Sequence, residues 1–350
     1  MKKNQKTVDK IIDKVKPGKS DDKPKGQITT ANIEEHREKT LESGRKFKYP
    51  THVSMHKILI TAAIIFVVAL IGFVTFSWWR LYKVQDTSDF FYTATRVIPI
   101  PVAHVDGEPV LYGDYMRRLR ASIYYLENQD GRDLTIEDGQ RELEYTRRYN
   151  MDEAQKVAFA RKITREKGLE VTSEMVDANI ETTLNAGSGG TISSKAYENS
   201  LRRYFGWSMD DYRRIVHERL LLREASFAID DEAQGKADEI KRRLNVGEDF
   251  ATVAKEVSDD FATKESGGDV GSVNINNVDQ NGLIAVARSM TPGQISDVIR
   301  GVDAFYIIKL TDKTETTVKY SQIRVGLNEF NKQFAQLRED GKITECIEIE

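Results

Sequence analysis

The stretch NVGEDFATVAKEVSDDFATKESGGDVGS, residues 245–272, decides the fold of the C-terminal part of this 350-residue chain. Its first half places apolar residues at helical spacing, among them Phe250 and Val253. An acidic turn at Asp259 and Asp260 follows, and then Gly-Gly-Asp-Val-Gly, where glycine allows a turn and a close approach of two backbones. The stretch therefore predicts a short helix, a tight turn and the start of a strand.

This succession resembles the core motif of the parvulin-type peptidyl-prolyl cis-trans isomerases. The motif of that family is a Gly-Glu-x-Phe helix, a Ser-Asp-Asp/Cys turn and Gly-Gly-Asp-hydrophobic-Gly, and every part is present between Gly247 and Gly271. Residues 290–296 match the family's next turn, and residues 304–310 match its closing strand. The resemblance covers residues 232–312 and implies an α+β domain, a small antiparallel sheet with surrounding helices.

One strand of that family is out of place in this chain. Parvulins begin with a central strand of the type Tyr-Ser-His-Ile-Leu-Val, which has no counterpart just before residue 232. The segment VKYSQIRV, residues 318–325, follows the closing strand and looks like the missing strand in a circularly permuted order. The position of a strand in a sheet is set by its pairing and burial, not by its order along the chain, so such a permutation is possible. We therefore expect the segment at the centre of the sheet, beside residues 305–310.

The resemblance also implies a site, which parvulins build from two facing histidines and a Cys or Asp. Carried over by position, Asp260 takes the Cys/Asp place, Tyr306 the closing-strand histidine, and Gln322 the first-strand histidine. These three are the candidate catalytic residues, and neither Tyr nor Gln is an imidazole. The candidate substrate contacts are Leu283, Phe305 and Ile323. The alternative for residues 259–260 is a structural turn that caps the following segment.

The preceding residues, 102–229, predict a hairpin followed by helices. Alternating residues flank an Asp106-Gly107 turn, and Ser208 can cap a long final helix. Residues 105–110, 166–174 and 205–214 resemble the N-terminal chaperone region of SurA- and PrsA-like foldases. That resemblance implies a helical domain whose partners are unfolded or proline-containing polypeptides, and the alternative is a plain helical spacer.

An uncharged apolar run extends from Ile58 to Trp79. As a helix it would be about 33 Å long, enough to cross a hydrocarbon core of about 30 Å. Trp78 and Trp79 fit an aromatic belt at one interface. The run predicts a single N-terminal transmembrane helix over residues 57–80. A removable signal peptide is the alternative, but its apolar region would be shorter and nearer residue 1.

Charge predicts the orientation of that helix. Residues 1–57 hold 15 Lys or Arg against 8 Asp or Glu, and the rest of the chain is net acidic. The basic side is expected in the cytoplasm, so residues 1–56 are a disordered cytoplasmic tail and residues 81–101 a tether outside the membrane. The acidic outer part argues against nucleic acid as a partner. One cysteine and five scattered histidines predict neither an internal disulfide nor a metal or other cofactor.

Together these patterns predict a membrane-anchored, extracytoplasmic foldase that assists secreted or envelope proteins. Residues 102–229 would form its helical chaperone domain and residues 230–350 its parvulin-like domain. Two alternatives keep the same fold. The domains would either hold unfolded chains with weak or no isomerase turnover, or act as interaction surfaces of a structural envelope protein.

Overall fold

The computed structural model describes four stretches of the chain, residues 30–48, 53–185, 192–277 and 279–349. The chain divides into two compact units, Met1–Thr75 and Phe76–Glu350.

The first unit contains helix α1 (Thr30–Lys48) and most of helix α2 (Val53–Tyr82). Helix α1 lies in the tail that was predicted to be disordered, and its described side chains are exposed. A low apolar content excludes a core but not a helix, because Glu, Lys and Arg favour helices and Glu35 pairs with Lys39 one turn on, at 2.8 Å. The other tail residues, 1–29 and 49–52, lie outside the described part.

Helix α2 carries the predicted membrane span. Its 28 residues from Met55 to Tyr82 are long and apolar enough to cross a membrane, and none of the most apolar part is buried. A signal sequence can have the same length and apolar composition. The span agrees in position with the predicted residues 57–80.

The predicted tether at residues 81–101 is instead part of the folded second unit. Leu81 is buried, and helix α3 (Asp89–Val97) buries Phe91 and Thr95. This segment packs because its apolar residues fall on one face of a short helix, a pattern that the two prolines after it obscured.

The helical region of the second unit opens with the predicted hairpin, strands β1 (Pro101–Val105) and β2 (Glu108–Leu111). Asp106 and Gly107 both have positive φ, 48° and 83°, which the two-residue turn requires. In the described residues that follow, five helices share one core with the hairpin: α4 (Tyr112–Asn128), α5 (Glu137–Glu166), α6 (Ser173–Asn185), α7 (Ser194–Phe205) and α8 (Met209–Ile229).

The C-terminal segment completes this helical core. Helix α12 (Glu329–Glu339) places Phe330 and Phe334 against Phe159 of α5, with ring centroids 5.1 and 6.1 Å apart. Strand β7 (Ile343–Glu345) pairs with β1, and the sheet order is β2-β1-β7. The structure therefore corrects the predicted boundary, since residues 329–349 pack with the helical region and not with the parvulin-like sheet.

The remaining residues, 230–328, form a domain that we call the sheet domain. Its helices are α9 (Asp231–Asn245), α10 (Phe250–Val257) and α11 (Leu283–Ser289), and a short 3-10 turn lies at Lys264–Ser266. Its strands are β3 (Asp269–Asn274), β4 (Ile299–Arg300), β5 (Ala304–Lys313) and β6 (Thr317–Gly326), in the antiparallel order β3-β6-β5-β4. Strand β6 contains residues 318–325 and lies between β3 and β5, so the permuted central strand is confirmed.

The two faces of this sheet bury different sets of side chains. Because strand residues alternate, Phe305 and Ile307 of β5 pack with Ile323 of β6 against α9 and α10. Tyr306 and Ile308 face the other way and pack in the cluster that contains α11. The candidate residues of β5 and β6 are thereby divided between the two faces.

Candidate active site

The acidic turn after α10 is fixed to strand β6. The hydroxyl of Ser258, which is 1% exposed, accepts hydrogen bonds from the backbone N–H of Asp260 (3.2 Å) and of Arg324 (3.1 Å). The N–H of Asp259 donates to the carbonyl of Arg324 at 2.8 Å, and its carboxylate accepts from the N–H of Gly326 at 3.0 Å. The Ser-Asp-Asp turn thus places Asp260 beside the middle of β6.

The carboxylate of Asp260 accepts three hydrogen bonds. One oxygen accepts from the N–H of Ala262 at 3.1 Å, and the other accepts from Oγ1 of Thr263 and Nε2 of Gln322, each at 2.6 Å. Partial burial raises the pKa of Asp260, but the bonds from Thr263 and Gln322 outweigh it and hold the pKa below its ordinary value. Asp260 is therefore a charged acceptor near neutral pH, and the contact with Gln322 joins two of the three candidate catalytic residues.

The glycine pair of the motif makes this contact possible. The carbonyl of Gly268 accepts from the N–H of Gln322 at 2.8 Å. A Cβ added to Gly268, whose φ is 85°, would lie 2.4 Å from the backbone oxygen of Gln322. Only a residue without a side chain allows this approach, so Gly268 lets the turn close on β6.

Tyr306 shares the sheet face of Gln322 but has other partners. In the β5–β6 register it lies opposite Arg324, whereas Gln322 lies opposite Ile308. Its hydroxyl oxygen accepts from Nδ2 of Asn281 at 3.3 Å. Burial raises the pKa of Tyr306 above its ordinary value, although the charge of the nearby Arg324 acts to lower the pKa of the phenol. At neutral pH Tyr306 is thus a neutral phenol, and it makes no described hydrogen bond to Asp260.

The candidate substrate contacts are not brought together. Leu283, 3% exposed, packs with Tyr306 in the core beneath the candidate site. Phe305 and Ile323 are buried on the opposite sheet face, against α9 and α10, so the structure corrects their assignment as substrate contacts. Adjacent strand residues point to opposite faces, and a set that includes both 305 and 306, or both 322 and 323, cannot line one surface.

Two residues at the site went unnoticed in the sequence. Arg324 follows Gln322 by two positions in β6, and this spacing alone places it on the same face. Asn281 precedes α11 in an irregular segment; its Oδ1 accepts from the N–H of Val302 at 3.0 Å, which turns its amide group toward Tyr306. No sequence pattern signals that contact. Among the described residues, no group of three or more His, Cys, Asp or Glu could hold a metal ion.

Both the helical region and the sheet domain match models of known protein families. The family model of the PPIC-type PPIASE domain matches residues 218–312, and that of the SurA-like N-terminal domain matches residues 53–226. The first match ends before strand β6 begins at Thr317, as a permuted strand order would produce.

Several relatives carry the name foldase protein PrsA. The protein from Clostridium kluyveri is 30% identical over 169 residues, which are 48% of this chain and 44% of the relative. PrsA 4 from Bacillus cereus is 36% identical over 99 residues, 28% of this chain and 34% of the relative. The chain thus spans less than half the length of these relatives. The crystal structure of the peptidylprolyl isomerase PrsA from Bacillus anthracis is 18% identical and covers 53% of this chain and 85% of its own, with a TM-score of 0.19.

Proposed function

We propose that this chain, a SurA/PrsA-like protein with a parvulin-type domain, catalyses the cis-trans isomerisation of prolyl bonds in unfolded polypeptides. The observation that carries the proposal is the hydrogen bond of 2.6 Å between Asp260 and Gln322 on the sheet face that also bears Tyr306. It joins the positions that the family motif assigns to the site, although one of them comes from a strand displaced in the sequence.

Catalysis of prolyl isomerisation does not require a covalent bond to be made or broken. Rotation about a prolyl amide crosses a barrier of about 18–20 kcal/mol because twisting abolishes the amide resonance. A catalyst need only bind the twisted amide better than either planar form. Asp260 supplies a fixed negative charge, and the amide of Gln322 and the phenol of Tyr306 supply neutral polar groups that need not change protonation. Lacking both imidazoles, this site should be slower than one that keeps them.

The test is exchange spectroscopy on a short Ala-Pro peptide with the full chain in detergent micelles. Enzyme-dependent exchange between the cis and trans signals supports the proposal. A rate equal to that of the peptide alone, at protein concentrations that saturate binding, would contradict it.

A second function, holding unfolded chains without turnover, is favoured by an aromatic cleft in the helical region. The cleft has a volume of about 470 Å³, and its apolar lining includes Tyr125, Tyr149, Phe205 and Trp207. Tyr149 is 54% exposed and Tyr125 is 39% exposed, which leaves apolar surface open to a client. Suppression of the aggregation of a denatured test protein measures this function separately from prolyl exchange.

We also propose that α2 anchors the chain, with the basic N-terminal residues in the cytoplasm and residues 85–350 outside. The apolar composition of α2 and the surplus of Lys and Arg before it support this orientation. The clients would then be secreted or envelope proteins that emerge unfolded on the outer side.

A further inference from the structure

The sheet face of the candidate site carries a cation at Arg324. Its Nη2 donates to the carboxylate of Asp303 at 2.7 Å, and Tyr306 lies directly opposite it in the β5–β6 register. The side chain is 26% exposed, so it lies between the buried sheet and the solvent. Arg324 is therefore accessible to a ligand that approaches this face of the sheet.

A glycine makes room for this guanidinium. A Cβ built on Gly326, two residues further along β6, would lie 2.9 Å from Nη1 and 3.7 Å from Cζ of Arg324. The guanidinium thus packs directly against the backbone of Gly326, where any larger residue would displace it. Because the obstructed atoms are the far end of a flexible side chain, such a residue would move Arg324 at little cost to the fold.

The guanidinium of Arg324 has N–H donors that are available to a ligand. It carries five N–H groups, and in the described part of the chain it donates through Nη2 to Asp303. The Asp303 carboxylate is 65% exposed, and ion pairs so open to water are weak. Arg324 can therefore give a charge-assisted hydrogen bond to a ligand without leaving a buried charge unpaired.

A twisted amide offers such a donor a specific acceptor. In the planar amide the nitrogen lone pair is delocalised into the carbonyl, and at the top of the barrier it is localised on nitrogen. A donor aimed at that nitrogen therefore stabilises the twisted form more than the planar forms. Neutral Gln322 and Tyr306 would do this less well than a cation, since charge-assisted hydrogen bonds are about twice as strong as neutral ones.

We propose that Arg324 is a further catalytic residue, which donates a hydrogen bond to the prolyl nitrogen as the amide twists. This inference rests on the proposed isomerase function. No bond is made or broken and no proton is transferred, so the step needs no co-reactant.

The experiment measures prolyl exchange by the full chain in micelles for three test variants and one control variant. Arg324→Met should lower kcat about a hundredfold with KM nearly unchanged, because the interaction exists only in the transition state. Arg324→Lys keeps the charge but loses the planar fork, so a drop of about tenfold is expected. Gly326→Ala should lower kcat while the thermal midpoint stays within a few degrees, because it displaces the guanidinium and not the strand.

The matched control is Arg300→Met. Arg300 also pairs with a carboxylate, that of Glu224 at 3.2 Å, and its guanidinium lies over the ring of Phe227, 4.4 Å from the centroid. Removing it tests the general effect of losing an arginine from this domain, and kcat should stay within about twofold of wild type, since most surface changes are small.

The outcomes separate the two proposals. Wild-type turnover with an unchanged kcat in Arg324→Met overturns the role of Arg324 and leaves the isomerase function standing. No wild-type turnover overturns the isomerase function and this inference with it. If Arg324→Met does not fold, Gly326→Ala decides: a normal kcat in that variant also overturns the role of Arg324.

Discussion

Asp230 is predicted to hold the junction between the helical region and the sheet domain. The residue is 4% exposed and lies between α8 and α9. Its Oδ1 caps α9 by accepting from the N–H of Ala233 at 2.9 Å. Its Oδ2 accepts from the N–H groups of Asn328 (2.7 Å) and Glu329 (3.0 Å) at the start of α12. One carboxylate thus accepts hydrogen bonds at both places where the chain passes between the helical region and the sheet domain.

The loss expected for Asp230→Ala follows from these bonds. The cap of α9 contributes about 1 kcal/mol, and each hydrogen bond from α12 to a charged acceptor contributes about 1.5 kcal/mol or more. The sum is about 4 kcal/mol, a large part of a total stability of about 5–15 kcal/mol. Asp230→Asn keeps one acceptor oxygen and turns an NH₂ group toward the other N–H donors, so it should lose about half as much.

Hydrogen exchange followed by mass spectrometry checks this prediction on the full chain. In Asp230→Ala, peptides from the start of α9 and from the start of α12 should both exchange roughly a hundredfold faster or more, at 1.4 kcal/mol per factor of ten. The matched control is Asp249→Ala, which removes an exposed cap of α10, a bond of 2.9 Å to the N–H of Thr252, and should affect α10 alone. Faster exchange in α9 with no change in α12 would refute the shared cap.

Three further predictions concern the site and the membrane. Asp260→Asn should lower the prolyl exchange rate about a hundredfold, near 3 kcal/mol, and leave aggregation suppression intact; equal rates would exclude Asp260 from the site. The wild-type rate should be flat from pH 5 to 9, because the pKa of Asp260 lies below the ordinary aspartate value, which keeps its carboxylate charged, and the pKa of Tyr306 lies above the ordinary tyrosine value, which keeps its phenol protonated; a step near pH 6.5 would indicate a histidine. Protease added to spheroplasts should remove residues 85–350 and spare the N-terminal tail, and the opposite pattern would reverse the proposed orientation.

The sequence was most informative where a pattern is local. The short helix predicted in the first half of residues 245–272 is α10, because capping and apolar spacing act within a few residues. Strand β6 could be placed beside β5 from its alternation, although it is displaced along the chain. The contact between Asp260 and Gln322 followed from that placement and from the resemblance together.

Other features depend on partners that no local pattern identifies. Phe330 and Phe334 mark one apolar face of α12, but their spacing is the same whether that face packs on the sheet domain or on α5. Residues 81–101 looked like a tether for a different reason, because the prolines at their end obscured the helical spacing of their apolar residues. Arg324 could have been found, since the period of two that assigns Gln322 to the site face also assigns residue 324 to it.

The sheet domain is an insertion in the helical region, and its two ends meet at Asp230. The core of the helical region contains residues from both sides of the insertion, among them Phe159, Phe330 and Ile347. Because the carboxylate of Asp230 accepts from Asn328 and Glu329, the ends of the two domains lie within hydrogen-bond reach. We therefore expect residues 230–328 to be removable as a unit.

Replacing residues 230–328 by two glycines, with Phe227→Ser where its ring packs on Phe305 at 4.9 Å, should leave a folded helical protein. The fluorescence of Trp207 should still report a cooperative unfolding transition, because all the elements around it remain. The shortened chain should suppress aggregation but show no prolyl exchange, which would assign the two functions to separate domains. Loss of the Trp207 transition would show that the helical core depends on the sheet domain, and prolyl exchange by the shortened chain would place the isomerase site outside the sheet.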